Sequence, residues 1–97
     1  MSKLSPLKDD GKNKEYWFHC PGCDCLHWVR IEGTNPVWEW NQSVTAPTFS
    51  PSVRVRMPIG DEMHVCHSFI REGKIEFLGD CTHELKGQTV EMLDRVD

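Results

Sequence analysis

No run of about twenty apolar residues occurs in the 97-residue chain, so none of it reads as a membrane-spanning helix. A basic excess is missing too. Lys and Arg number 11 against 15 Asp and Glu, a net charge of −4. That argues against a general binder of nucleic acid or of anionic membranes. The first ten residues hold no apolar h-region, and a cytoplasmic location is expected. Leu, Ile and Ala are sparse, and no amphipathic pattern of three helical turns appears. A small aromatic core with a metal staple fits this better than a helical bundle. Internal repeats and low-complexity tracts are absent. The length suits one domain, and a core this small is often completed by a metal.

Cysteine is what the chain has in unusual supply, with five. In a reducing compartment such clusters read as metal or redox sites before disulfides. Cys20-Pro21-Gly22-Cys23 has the spacing of a zinc knuckle: Pro and Gly make a tight turn that aims both sulfurs at one point. Four tryptophans offer large buried area and are expected to supply much of the core. Residues 1–15 are polar and read as a flexible tail or a loosely attached first strand. Residues 16–97 form the single domain.

Strand signals dominate that domain. Tyr16-Trp17-Phe18-His19 runs into the cysteine turn, and Trp28-Val29-Arg30-Ile31 returns from it. Val37 to Asn41 alternates, with Trp38 and Trp40 on one face. Pro47 and Pro51 exclude a helix and suggest an extended edge segment. Val53, Val55 and Met57 alternate inward against Arg54 and Arg56, a basic strip. Residues 63–78 read as a hairpin turning at Glu72-Gly73. In that register Ile70 faces Ile75 and Ser68 faces Phe77. Cys66, Ser68, Ile70, Ile75, Phe77 and Cys81 then share one side, and His67 and Asp80 share the other.

Zinc takes four tetrahedral ligands. Cys20 and Cys23 supply two, and the hairpin register favours Cys66 as the third. Adjacent strand residues point to opposite faces, so His67 joins the same metal only if the strand breaks there. The residues leave the fourth position open between Cys81 and His83. Cys25 reads as a spare thiol, and His19 and His27 as weaker candidates. A redox dithiol would need a helix after the cysteine pair, and a strand follows instead. His83-Glu84 lacks the second histidine of H-E-x-x-H, and no H-x-E precedes the cysteine pair as in the zinc deaminases. His67 and Asp80 form a second constellation, a carboxylate beside an imidazole. It suits a structural hydrogen bond, or a substrate or partner site.

The motifs Cys20-Pro-Gly-Cys23, Trp38-x-Trp40-Asn41, residues 47–52 (Pro-Thr-Phe-Ser-Pro-Ser), Cys66-His67-Ser68-Phe69, residues 77–83 and residues 87–90 appear in this order. The set resembles a family of small phage and prophage proteins, a domain of unknown function whose members often carry the label "ammonia monooxygenase". The chain holds no copper or di-iron constellation to match that label. The resemblance implies a phage or prophage origin. It also implies that Cys81 is replaceable, which makes His83 the fourth ligand.

The sequence thus predicts a mostly β fold: a small twisted antiparallel sheet or two-sheet sandwich with a zinc knuckle and little helix. One structural Zn2+ per chain is expected on Cys20, Cys23, Cys66 and His83, with His67 and Asp80 as a binding site. The leading function is a zinc-stabilised phage accessory protein that binds a host or phage macromolecule, with a protein as partner. An inhibitor of a host enzyme or defence system is one form of it. The alternatives are a zinc-dependent hydrolase or nucleotide-processing enzyme using His67, Asp80 and His83, and a virion structural component.

Overall fold

A computed structural model describes residues 2–95. Eight strands form two antiparallel sheets, and no helix occurs among the described residues. The first sheet holds β1 (Ser5–Asp9), β2 (Lys14–Cys20) and β3 (Cys25–Glu32) in that order. The second holds β4 (Glu39–Trp40), β5 (Phe49–Ile59), β6 (Glu62–Arg71), β7 (Lys74–Phe77) and β8 (Thr89–Glu91), again in chain order. The N-terminal segment, read as a flexible tail or a loosely attached first strand, contributes β1, which pairs with β2, and Leu4 is buried.

The hairpin of β6 and β7 has the register that alternation predicts, with Ile70 opposite Ile75 and Ser68 opposite Phe77. Its turn places both Glu72 (φ 50°) and Gly73 (φ 78°) in the left-handed region. Two such residues give the mirror-image turn whose twist suits a two-residue hairpin. Along β6, Cys66, Ser68 and Ile70 are buried while His67 and Phe69 are half-buried. One strand therefore carries a core face and an outward face.

β5 runs for 11 residues although it contains Pro51 and Pro58. Proline removes a ladder donor and is tolerated on an edge. β4 supplies that edge: it pairs only with Phe49 and Ser50. Beyond Ser50, no strand pairs with the outer side of β5 among the described residues.

Both sheets feed one core of Leu4, Phe18, Val29, Phe49, Val53, Ile70, Ile75, Phe77 and Met92 together with Cys20, Cys66 and Cys81. Full burial of a side chain such as Ile70 or Phe77 is worth about 1.5–3 kcal/mol. The tryptophans are not at its centre. Trp38 and Trp40 pack against it only partly buried, each satisfying its indole N–H on a carbonyl, Ser52 and Ser43 respectively. Trp28 is exposed, with the Arg30 guanidinium 5.3 Å from its ring centroid. An indole keeps a polar N–H that a phenylalanine lacks, which suits Phe18, Phe49 and Phe77 better to the interior.

Candidate functional site

Three polar side chains line up on the outer face of the second sheet. The Ser52 Oγ lies 2.8 Å from Nε2 of His67, and Nδ1 of His67 lies 3.1 Å from Oδ2 of Asp80. With its proton on Nδ1, the imidazole donates to Asp80 and accepts from the Ser52 hydroxyl. This is the connectivity of a nucleophile, a base and an orienting carboxylate. Ser52 and His67 are half-buried and Asp80 is exposed, so the site is open to a large substrate.

Local structure explains each position. The β5–β6 register shifts between Phe49 and Val53, which interrupts the ladder around Ser52. Such irregularities re-aim side chains and recur near active sites. The Ser52 carbonyl accepts from the Trp38 indole N–H at 3.3 Å, which anchors the backbone there. Strand alternation turns His67 outward from the core. Asp80 sits on a loop fastened to β6 from two sides. Leu78 N–H donates to the His67 carbonyl, and Thr82 N–H donates to the Val65 carbonyl. Cys81 adds two bonds to the His67 backbone: its sulfur accepts from the N–H and its thiol donates to the carbonyl, both at 3.2 Å.

Sequence reasoning placed His67 and Asp80 together and missed Ser52. A signal existed. Counting back from the turn at Gly60-Asp61 sets Arg54 opposite His67, which leaves Ser52 one alternation away on the same face. Serine is too common to attract notice alone, and no nucleophile-elbow motif marks it.

Behind β6 lies a second cluster. Cys20, Cys23, His27 and Cys66 offer four ligand atoms all within 4.8 Å of one another. The Cys20 and Cys66 sulfurs are 3.7 Å apart, close to the ~3.8 Å edge of a tetrahedron with zinc–sulfur bonds of about 2.3 Å. Nε2 of His27 is 2.9 Å from the Cys23 sulfur. Cys25 stands 3.3 Å from Cys23 and outside the group. His83 falls in an overlapping group with Cys66 and Cys81. It lies behind β6, away from His67, so the three residues considered for a zinc-dependent hydrolase do not share one site.

The chemistry of these groups fits a cation. Nε2 of His83 is buried without a hydrogen-bond partner while its Nδ1 accepts from Leu85 N–H, and an orphaned buried nitrogen calls for an explanation such as an ion. The thiols also oppose one another's ionisation. A hydrogen bond from Cys66 holds the Cys20 thiol down to about 3. The same bond, then burial, pushes Cys66 up, and burial first and then Cys25 push Cys23 up. Several thiolates this close need a positive charge among them. These Cys/His groups could hold a metal ion.

Gly22 belongs to this cluster for a steric reason. A β-carbon there would overlap the His83 ring. Gly22→Ala is expected to displace that imidazole and to destabilise the fold by about 1–3 kcal/mol. A thermal melt measures it, and an unchanged midpoint would show that the ring yields freely.

No described helix is long and apolar enough to cross a membrane. No curated protein and no solved structure matches the chain. One family model does, over residues 2–78, a span that takes in Ser52 and His67 and stops just short of Asp80. The chain belongs to the family described as bacterial ubiquitination-like system serine protease (BubE).

Proposed function

We propose that this protein is a serine peptidase of a bacterial ubiquitination-like system. In this reading Ser52 is the nucleophile, His67 the general base and Asp80 the group that orients it. The observation that carries the reading is the continuous hydrogen-bonded chain from Ser52 through His67 to Asp80. The family description supports it independently.

The chemistry follows from the geometry. The Ser52 oxygen attacks the scissile carbonyl while His67 Nε2 takes the hydroxyl proton. Asp80 stabilises the imidazolium through Nδ1. The C–N bond breaks as His67 returns the proton to the leaving amine, and an acyl-serine remains. Water, deprotonated by the same His67, releases the acyl group and restores the hydroxyl. A peptide or isopeptide bond joined to a ubiquitin-like modifier is the substrate that the family name suggests. The partner is then a protein of the same system, in the cytoplasm. Five free cysteines are compatible with that compartment.

The second cluster has a different task. One structural Zn2+ bound by Cys20, Cys23, Cys66 and a histidine would fasten the β2–β3 hairpin to the back of β6. His27 is the histidine that proximity favours, and His83 the one the sequence resemblance implies. Because Cys66 and His67 are neighbours on opposite faces, this fastening would fix the strand that presents the base.

A fluorophosphonate probe tests the peptidase reading. It should form a covalent adduct that peptide mass spectrometry locates on Ser52. Labelling of folded protein elsewhere, or nowhere, would reject it.

A further inference from the structure

The face that carries Ser52 and His67 also carries two guanidinium groups. Arg54 lies directly opposite His67, and Arg56 directly opposite Val65. Residues opposite one another across a ladder share a face. The bond from Ser52 to His67 puts the serine on it as well. Both arginines are exposed. Neither makes a hydrogen bond, ion pair or ring contact among the described residues. Arg30 and Arg71, by contrast, hold Glu15 and Glu76.

Charge is thus divided across the site. Asp80, engaged by His67, and Glu76, engaged by Arg71, stand on the β7 side. Two unengaged cations stand on the β5 side, in a chain whose net charge is −4. The outer edge of β5 beyond Ser50 has no partner strand, so an extended peptide can lie along it with its backbone in reach of the edge. Side chains of an extended peptide alternate with a period of two, the spacing of Ser52, Arg54 and Arg56.

The geometry points to Arg54 and Arg56 as a subsite for substrate carboxylates. The peptide preferred by this site carries Asp or Glu within a few residues of the scissile bond, on the part that lies over β5. Planar guanidinium groups pair with carboxylates through two parallel hydrogen bonds. An acidic residue held there fixes the register of the peptide and so brings one bond to Ser52. This rests on Ser52 acting as the nucleophile.

Two fluorophosphonate probes of identical warhead and linker test it, one ending in a carboxylate and the other in the isosteric carboxamide. The rate of adduct formation at Ser52 is followed by mass spectrometry. The wild-type chain is expected to favour the carboxylate by about fivefold at low ionic strength, as exposed charge pairs allow. The ratio should fall toward one in high salt and in the Arg54→Gln, Arg56→Gln double variant. Equal rates in the wild type overturn the subsite, and so does a preference that survives the double substitution. Absence of any Ser52 adduct with both probes is a separate failure. It removes the nucleophile and the peptidase reading together.

Discussion

Ser52→Ala should reduce turnover of a p-nitrophenyl ester by at least about four orders of magnitude. The Ser52 hydroxyl oxygen lies 2.8 Å from the imidazole nitrogen that would deprotonate it, which places it to form an acyl intermediate. His67→Ala should cost nearly as much, because residues acting as one unit are not additive. Asp80→Asn should cost less, about a hundredfold, since the carboxylate is exposed and its role is orientation rather than transfer. All three variants should stay folded. The Ser52 side chain bonds His67 and nothing in the core, so Ser52→Ala should move the melting midpoint by only a few degrees. Near-ultraviolet circular dichroism of the four tryptophans reports the packing. A Ser52→Ala protein that is folded and still active would refute the assignment.

Metal removal is the second large effect. The purified chain should contain about one zinc, and a strong chelator should lower its melting midpoint by more than about 20 °C. A 97-residue chain with so few large aliphatic residues has little stability to spare. Its two sheets share one core, and Cys20 and Cys66 belong to different sheets. Without a cation, sulfurs 3.7 Å apart cannot all ionise, and Nε2 of His83 stays buried without a partner. Cys20→Ser and Cys66→Ser should each abolish stoichiometric zinc. His27→Ala and His83→Ala identify the fourth ligand, for only one should lose the metal outright. A chain that melts identically with and without chelator would exclude a structural cation.

Much of this arrangement is legible in the residues, for a reason that can be named. The β6–β7 hairpin is short and closed by Glu72-Gly73, so alternation alone fixes which side chains share a face. That puts Cys66 with the core and His67 beside Asp80. The same logic holds around Cys20 and Cys23, where the turn is covalently local. Legibility stops where a ladder is irregular or a partner comes from another sheet. Counting from the β5–β6 turn sets Ser52 on the face of His67, but with the ladder shifted between Phe49 and Val53 the count alone does not bring its hydroxyl to the imidazole. His27 reads as one of the weaker ligand candidates. The β2–β3 hairpin itself sets it beside Cys23, and what the docking of the two sheets adds is the Cys66 sulfur. The tryptophans mislead because hydrophobic area says nothing about where an indole N–H finds an acceptor.

The β5–β6 hairpin has a consequence for how such a site is assembled. Ser52 and His67 are 15 residues apart on two arms joined by a tight turn, whereas Cys20 and Cys66 are separated by 46. Closing the smaller loop costs less chain entropy, so the proposed nucleophile and base are encoded almost entirely within one compact segment. A designer could therefore move nucleophile and base together by transplanting that segment onto another twisted sheet. Only the carboxylate would have to be supplied by the host scaffold.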